Sequence, residues 1–362
     1  MKRLGIIIII TVLSLFTLHL VIEDEVFSEN ENKNLAKFPE FTFDSLFKGE
    51  YIKNLENYIT DHFPFRDTFL GIKSRYELLI GKKEINDVYI GKNEYLFEKY
   101  NTPKNTDKLI EVLNKFKENN LDTNMNLIFV PSSGLVNKDK LPDNVSYDKQ
   151  EEVLNKIYSK VNMNNINILN RLIEKNKEKE LFFRLDHHYN IYGAYYTYLE
   201  FCKKNNIQPV ELKTQNLSNE FTGTLYSKTN IYSYTKDIFE SYTPDVDLKV
   251  NYVMSNRITK TLFETNMLYK KDKYSYYLNG NHPLIEITTD VTNKKEILIV
   301  KDSFANSLIP FLVNHYSKIH VIDPRFYNLS VTEYITENNI ENVLIIYGIN
   351  GIDNDTGIYN LK

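Results

Sequence analysis

The stretch Ile297-Leu298-Ile299-Val300-Lys301-Asp302-Ser303-Phe304 decides the reading of this chain. Its first four residues form a short, unbroken apolar run, the pattern of a strand buried on both faces of a parallel sheet. Ser303 follows at once. Downstream, Asn306 to Tyr316 reads as a helix, Ile319-His320-Val321-Ile322 as a strand, Val331 to Asn338 as a helix, and Val343-Leu344-Ile345-Ile346-Tyr347 as a strand. This β-α-β-α-β run with short links predicts a parallel sheet covered by helices. Sites in such sheets lie beyond the carboxyl ends of the strands, and Ser303 and Asn350 fall at two such ends.

Upstream, residues 206–290 differ. They are richer in Thr, Ser, Asn and Tyr, with β-like runs at Asp237–Tyr242 and Leu248–Met254, and read as a β-rich insertion. Before them the alternation is already under way from about residue 104. Asp107 to Asn119 is amphipathic, Leu127-Ile128-Phe129-Val130 is an apolar strand ended by Pro131, and 147–162 is helical. Ile166-Asn167-Ile168-Leu169 reads as a strand, and an aromatic-rich helix runs from about 191 to 204. Residues 104–362 are therefore expected to form one α/β domain. Residues 23–103 read as a stalk followed by helices near 50–60 and 65–80, then two short strands at Val88–Lys92 and Tyr95–Phe97. Pro64 breaks the first helix and can open the second. His62, beside Asp61, fits that helix junction better than a catalytic site.

Residues 1–22 bear on the compartment. Lys2 and Arg3 precede an apolar run from Leu4 to Ile22, interrupted only by Thr11, Ser14, Thr17 and His19, with Glu23, Asp24 and Glu25 beyond. Roughly 20 apolar residues span a bilayer as a helix, and flanking basic residues stay cytoplasmic. No small-x-small cleavage pattern follows, so the segment reads as an uncleaved anchor in preference to a removed signal. The expectation is a single-pass membrane protein with a cytoplasmic N-terminus and the bulk of the chain extracytoplasmic.

The 362 residues suffice for a sizeable core. Lys+Arg 44 against Asp+Glu 48 gives a net charge of −4, which argues against a nucleic-acid partner. The single cysteine, Cys202, excludes an intrachain disulfide and sits in a helical pattern, as a buried structural thiol does. There is no Trp, but Tyr 27 and Phe 21 supply aromatic surface. No P-loop, GxGxxG, HExxH or CxxC is present.

A serine hydroxyl becomes a nucleophile at neutral pH only beside a base that is itself oriented by an acid. Ser303 lies between a strand and a helix start, where backbone N–H groups favour negative charge. A plain helix N-cap by Asp302 or Ser303 is the alternative. Asp186-His187-His188-Tyr189 supplies an acid and a base at i and i+2, which face one side if the segment is extended. His188 is then the base, Asp186 its orienter, and His187 points away. Two histidines and an aspartate are also metal-ligand types. Adjacent histidines rarely share one ion, however, and His62, His282, His315 and His320 show no ligand spacing. Neither a metal nor a cofactor is expected. Asn350, in Gly348-Ile349-Asn350, either donates an amide to an oxyanion or belongs to an ordinary turn.

Asp-Ser-Phe after one strand, Gly-x-Asn after a later one and a closely spaced Asp-x-His resemble the blocks of the SGNH hydrolase superfamily, with the Asp and His moved ahead of the serine. That order is similar to the alginate O-acetylation proteins of the bacterial periplasm and to the DHHW family. The DHHW resemblance extends through Asn34–Pro39, Asp61–Arg66, Val88–Lys92, Asp186–Tyr189 with Gly193-Ala194, Gly280–Pro283 and Lys301–Phe304. It implies an SGNH-like fold with Ser303 as nucleophile, His188 as base, Asp186 as orienter and Asn350 in the oxyanion hole. The chain departs from the pattern at Lys301, where the superfamily has glycine, and at Tyr189, where the signature has Trp. In place of a second-block glycine stands Asp323-Pro324-Arg325, so Arg325 is the expected cationic donor.

The resemblance further implies an anchored serine esterase or acyltransferase that moves O-acetyl groups on a cell-envelope polysaccharide. Its implied partner is a multi-pass membrane acyltransferase that delivers the acetyl group. The alternative is a non-catalytic glycan-binding or scaffolding surface protein on the same fold.

Overall fold

The computed structural model describes residues 2–28, 30, 33–353 and 357–361. The chain forms two compact units, Met1–Asn86 with Tyr226–Tyr234, and Asp87–Leu225 with Thr235–Lys362.

In the first unit, helix α1 (Lys2–Val21) is apolar and exposed along its length. It is long and apolar enough to cross a membrane by length and composition. Two amphipathic helices follow, α2 (Glu50–Asp61) and α3 (Arg66–Leu79). The break between them holds Pro64, which is buried, and Phe65, which is exposed and whose φ of 60° lies in the left-handed region. His62 closes α2, its Nε2 lying 2.9 Å from the Ala36 carbonyl, while Asp61 accepts from the Ala36 N–H. Both side chains are thus engaged in holding a helix junction.

The second unit is built on an eight-stranded sheet. Its elements, in chain order, are helix α4 (Thr106–Glu118), strand β1 (Asn124–Val130), helix α5 (Asp148–Lys160), strand β2 (Asn164–Asn165), and helices α6 (Leu169–Asn176) and α7 (Ile191–Asn205). Strands β3 (Leu248–Tyr252), β4 (Arg257–Thr259), β5 (Leu284–Thr289), β6 (Glu296–Lys301) and β7 (Lys318–Ile322) follow, then helix α8 (Val331–Glu337) and strand β8 (Asn342–Gly348). The spatial order is β4-β3-β5-β7-β6-β8-β1-β2. The five strands from β7 to β2 run parallel, and β5, β3 and β4 extend the sheet antiparallel.

This is the α/β class with a mostly parallel, helix-flanked sheet that the sequence predicts. The central strands are buried on both faces: Ile297–Val300, Leu127–Val130 and Val343–Ile346 are all inaccessible, which is why they read as unbroken apolar runs. The segment 206–290 supplies a hairpin, Thr214–Phe221 with Asp237–Tyr242, and then β3, β4 and β5 of the sheet itself.

Two local expectations are corrected. The segment 166–169 is no strand. β2 ends at Asn165, and the Asn167 carboxamide accepts the Leu169 N–H to start α6. Nor is 306–316 one helix. A 3-10 turn (Ser303–Ser307) gives way to a single helical turn (Ile309–Leu312) carrying Pro310 at its start. Proline has no N–H to donate to the preceding turn, so the two pieces cannot merge.

Candidate active site

Four parallel strands end at one edge, and the loops leaving them line one cavity of about 250 Å³. Val130, Ser132 and Ser133 come from the end of β1. Asp302, Ser303 and Phe304 follow β6, Arg325 follows β7, and Gly348 to Gly351 end β8. Glu98, His187 and Leu225 complete the lining.

The Asp-His-His loop closes on this edge from a different part of the chain. An antiparallel bridge between Phe182 and Tyr189 pinches its base. Beyond it, Asn190 caps α7 by accepting from Tyr192 N and Gly193 N. The pinch points His188 at Ser303, with Nε2 2.7 Å from Oγ. On the other side of the ring, Nδ1 lies 2.6 Å from the Asp186 carboxylate. Asp186, His188 and Ser303 therefore form one continuous hydrogen-bonded series. Asp186 also accepts from the His188 N–H at 3.0 Å, the Thr224 N–H at 2.8 Å and the Thr224 hydroxyl at 3.1 Å. His187 turns to Thr224 Oγ1 at 2.7 Å. The ligand atoms of Asp186, His187 and His188 lie within 4.8 Å of one another, the one cluster of metal-ligand type among the described residues. Each of those side chains is committed to the hydrogen bonds just given.

Electrostatics set the protonation states. Burial by itself would raise the Asp186 carboxyl. The imidazoles of His187 and His188 beside it, with the hydrogen bonds from His188 and Thr224, outweigh that and hold it well below the usual carboxylate range. Burial pushes His188 down to about 4, aided by His187 and opposed by Asp186. At neutral pH the imidazole is neutral. Its Nδ1–H donates to ionised Asp186, so the Nε2 lone pair faces the serine hydroxyl. Tyr274 supplies much of the dry wall: its ring stacks on His188 with centroids 3.8 Å apart and planes 10° off parallel.

Around Ser303 the backbone is pinned by Asp302, which accepts from Phe304 N at 2.9 Å and Gly348 N at 2.7 Å. A Cβ at Gly348 would overlap the Phe304 ring, and one at Gly223 would overlap the Asp186 side chain. Both glycines are required by close approach and not by backbone conformation. Tyr189 donates its hydroxyl to the Phe304 carbonyl at 2.7 Å, and Tyr274 donates to that of Ser303 at 3.1 Å.

Lys301 is fully buried, with Nζ 2.7 Å from both Asn281 Oδ1 and Asn306 Oδ1 and 3.7 Å from Asp323. Burial pushes its ammonium down to about 8. It takes no part in lining the cavity. Arg325 lines it and holds Asp323 through two side-chain nitrogens, at 2.8 and 2.6 Å. Asn350 lines it too, but its amide N–H donates to Glu98 at 2.9 Å. The orientation is fixed from behind. The Ser132 N–H donates to Gln150 Oε1, so Gln150 Nε2 must donate to Asn350 Oδ1, at 2.8 Å.

Over residues 110–322 the sequence matches the family described as DHHW protein. The chain belongs to the DHHW family. The crystal structure of a DHHW family protein from Eubacterium siraeum superposes with a TM-score of 0.67 at 24% identity, covering 77% of this chain and 96% of that one. Bacillus cereus PatB1 with a sulfonyl adduct gives a TM-score of 0.61 at 18% identity, covering 76% and 99%. At these identities the likeness is one of fold. No curated protein matches the sequence.

The expected site residues of this DHHW protein divide clearly in space. Ser303, His188 and Asp186 are hydrogen-bonded in series, and Asn350 and Arg325 lie in the cavity wall, each with an internal partner. Sequence reading passed over Gly223-Thr224, Tyr274, Glu98 and Gln150. Of these only Gly223, a lone glycine among polar residues, carries a local signal, since glycine marks close backbone approach.

Proposed function

We propose that this protein is an extracytoplasmic, membrane-anchored serine esterase or acyltransferase that moves O-acetyl groups on a cell-envelope polysaccharide. The observation that carries the reading is the 2.7 Å contact between His188 Nε2 and Ser303 Oγ, with Asp186 on the far side of the ring. The Ser303 hydroxyl attacks the acetyl carbonyl as its proton passes to His188 Nε2. Asp186 stabilises the imidazolium without taking the proton. Collapse of the tetrahedral adduct breaks the ester C–O bond, and His188 returns the proton to the leaving oxygen. A sugar hydroxyl or water then gives up its proton to His188 and attacks the acetyl-serine, which makes the enzyme a transferase or an esterase respectively.

Asn350 and Arg325 are the proposed donors to the oxyanion. Asn350 donates to Glu98 through an amide that carries two hydrogens. Donors aimed at the developing charge are worth about 2.7–4 kcal/mol each. The cavity, at about 250 Å³, is small and edged by Ser132, Ser133, Glu98 and Asn350, which suits a short acyl group on a hydroxyl-rich acceptor.

The test compares the wild-type chain with Ser303→Ala on a chromogenic acetyl ester. Loss of the nucleophile is expected to cut turnover by roughly 10⁴ to 10⁶. A sulfonyl fluoride should block the wild type with a mass increase on Ser303. Equal turnover by the two proteins would sink the assignment. Intact wild type with neither turnover nor sulfonylation would favour a non-catalytic glycan-binding role.

A further inference from the structure

Helix α3 is built the wrong way round for a helix in water. Its buried face consists of Gly71 and Ser74. Gly71 lies against the Tyr232 ring, and the Ser74 hydroxyl donates to the Thr229 carbonyl at 2.6 Å, both in the same unit. Its opposite face carries Phe69, Ile72, Tyr76 and Leu79, spaced at three and four residues and all exposed, Leu79 by 85%. The stripe does not stop there. Phe69 meets Phe63 ring to ring at 5.8 Å, and Phe63 continues the apolar face of α2 through Ile59, Leu55 and Ile52. Contiguous apolar surface on this scale marks a surface that is covered by something.

What covers it is indicated by where it leads. Leu55 and Ile59 of α2, with Phe63 just beyond its end, line a cavity of about 710 Å³ together with Val12, Leu15 and Phe16 of α1. Val12 lies nine residues before Val21, about 13 Å down the helix at 1.5 Å per residue. The same cavity runs on along α1 to Leu20 and Ile22, so if α1 spans a bilayer the apolar side of α2 faces the outer half of that span. The polar side of α2 mixes Glu50, Lys53 and Glu56, so neither sign of lipid charge is selected.

We propose that the apolar face of α2 and α3 lies in the headgroup layer of a lipid bilayer, making the N-terminal unit an interfacial platform beside its anchor and not a stalk. This rests on the reading of α1 as a membrane span. Helices of this kind bury their apolar face just beneath the headgroups.

The test uses the full chain in phosphatidylcholine vesicles, with and without phosphatidylglycerol. Nitroxide labels are placed one at a time through Ile72→Cys, Leu79→Cys, Lys53→Cys and Ile8→Cys; the native Cys202 is buried. Collisions with oxygen and with a water-soluble nickel complex read the depth of each label. Labels at Ile72 and Leu79 are expected roughly 5–10 Å into the headgroup and acyl boundary. The Lys53 label should read water and the Ile8 label the bilayer interior, with little change on adding anionic lipid. Nickel access at Ile72 and Leu79 equal to that at Lys53, with Ile8 deep, would overturn the proposal and leave the anchor standing. Nickel access at Ile8 would overturn the anchor itself, and the proposal with it. Shielding of Ile72 and Leu79 from both nickel and oxygen would mean a protein cover, a second copy in this system, and would also overturn it.

Discussion

Asp186 and Asp302 are two buried carboxylates placed in two loops of one site, and their ionisation is driven in opposite directions. Each accepts two backbone N–H groups: His188 and Thr224 for Asp186, Phe304 and Gly348 for Asp302. Burial pushes Asp302 up to about 6 despite those bonds. The same pressure on Asp186 is overcome by two imidazoles, and its carboxyl falls well below the usual range. At Asp302 two backbone donors and the pull of Arg325 do not offset burial, whereas at Asp186 two imidazoles, one of them hydrogen-bonded to it, do. The 186–188 loop is thus arranged to hold charge against His188. The loop after β6 is arranged to tie the Ser303 backbone to Gly348. One carboxylate tunes a base and the other fixes a chain.

The widest separation between them should appear in turnover. Asp186→Asn leaves the shape of the loop and removes the charge that holds the Nδ1–H tautomer, so turnover on the acetyl ester is expected to fall by about 10⁴. Gly223→Ala should approach the same loss by displacing the Asp186 side chain. Its circular dichroism should stay native. Gly223→Ala at wild-type turnover would show that this packing does not position the acid.

The pH dependence sharpens the contrast. Between about 4 and 6.5 the unfolded chain protonates His188 and the folded chain does not, so this group makes stability rise with pH. Between 3.8 and about 6 the folded chain keeps a proton on Asp302 that the unfolded chain has lost, so this group makes stability fall with pH. The two slopes oppose each other over about pH 4–6, each about 1.4 kcal/mol per pH unit. The stability due to Asp186 is present above its unfolded value of 3.8 and is lost as pH falls below it, outside this window. Asp302→Asn should therefore unmask the His188 slope. Urea midpoints of the variant are expected to climb from pH 4 to pH 6 more steeply than those of the wild type. Parallel curves would mean that Asp302 is ionised throughout.

The same division marks what was legible in the sequence. The strands β6, β7 and β8 could be read because each is buried on both faces and so carries no polar break. Asp186 and His188 stood out as partners from their i and i+2 spacing, but the segment is bent and not extended, so His187, expected to point away, lies with its ring 3.8 Å from that of His188 and lines the cavity. Their approach to Ser303, 115 residues away, could be anticipated only from the pattern of strand ends. Thr224 and Tyr274 gave no local signal, because their contacts arise from the tertiary fold: one caps Asp186 and the other stacks on His188. Pro310 was a signal left unused, and it divides the helix expected over 306–316. The Asn350 amide could be placed in the site from Gly348-Ile349-Asn350, but its commitment to Glu98, 252 residues distant, could not.

The smallest expected effect separates the two duties of Tyr274. Its hydroxyl serves the Asp302 side of the comparison, donating to the Ser303 carbonyl and meeting Ser307 Oγ at 3.2 Å. Its ring serves the Asp186 side by keeping water from His188. Tyr274→Phe removes the first and keeps the second. It is expected to cost about 1 kcal/mol of stability, with the acid limb of the pH–rate profile unmoved near pH 4. Tyr274→Ala removes both, readmits water beside the imidazole and should carry that limb upward toward the ordinary histidine value of about 6.5. If the Phe variant moved the limb as far as the Ala variant, the hydroxyl network and not the stacked ring would be setting the basicity of His188. The separation of a charge-holding loop from a chain-fixing loop would then fail at a residue that touches both.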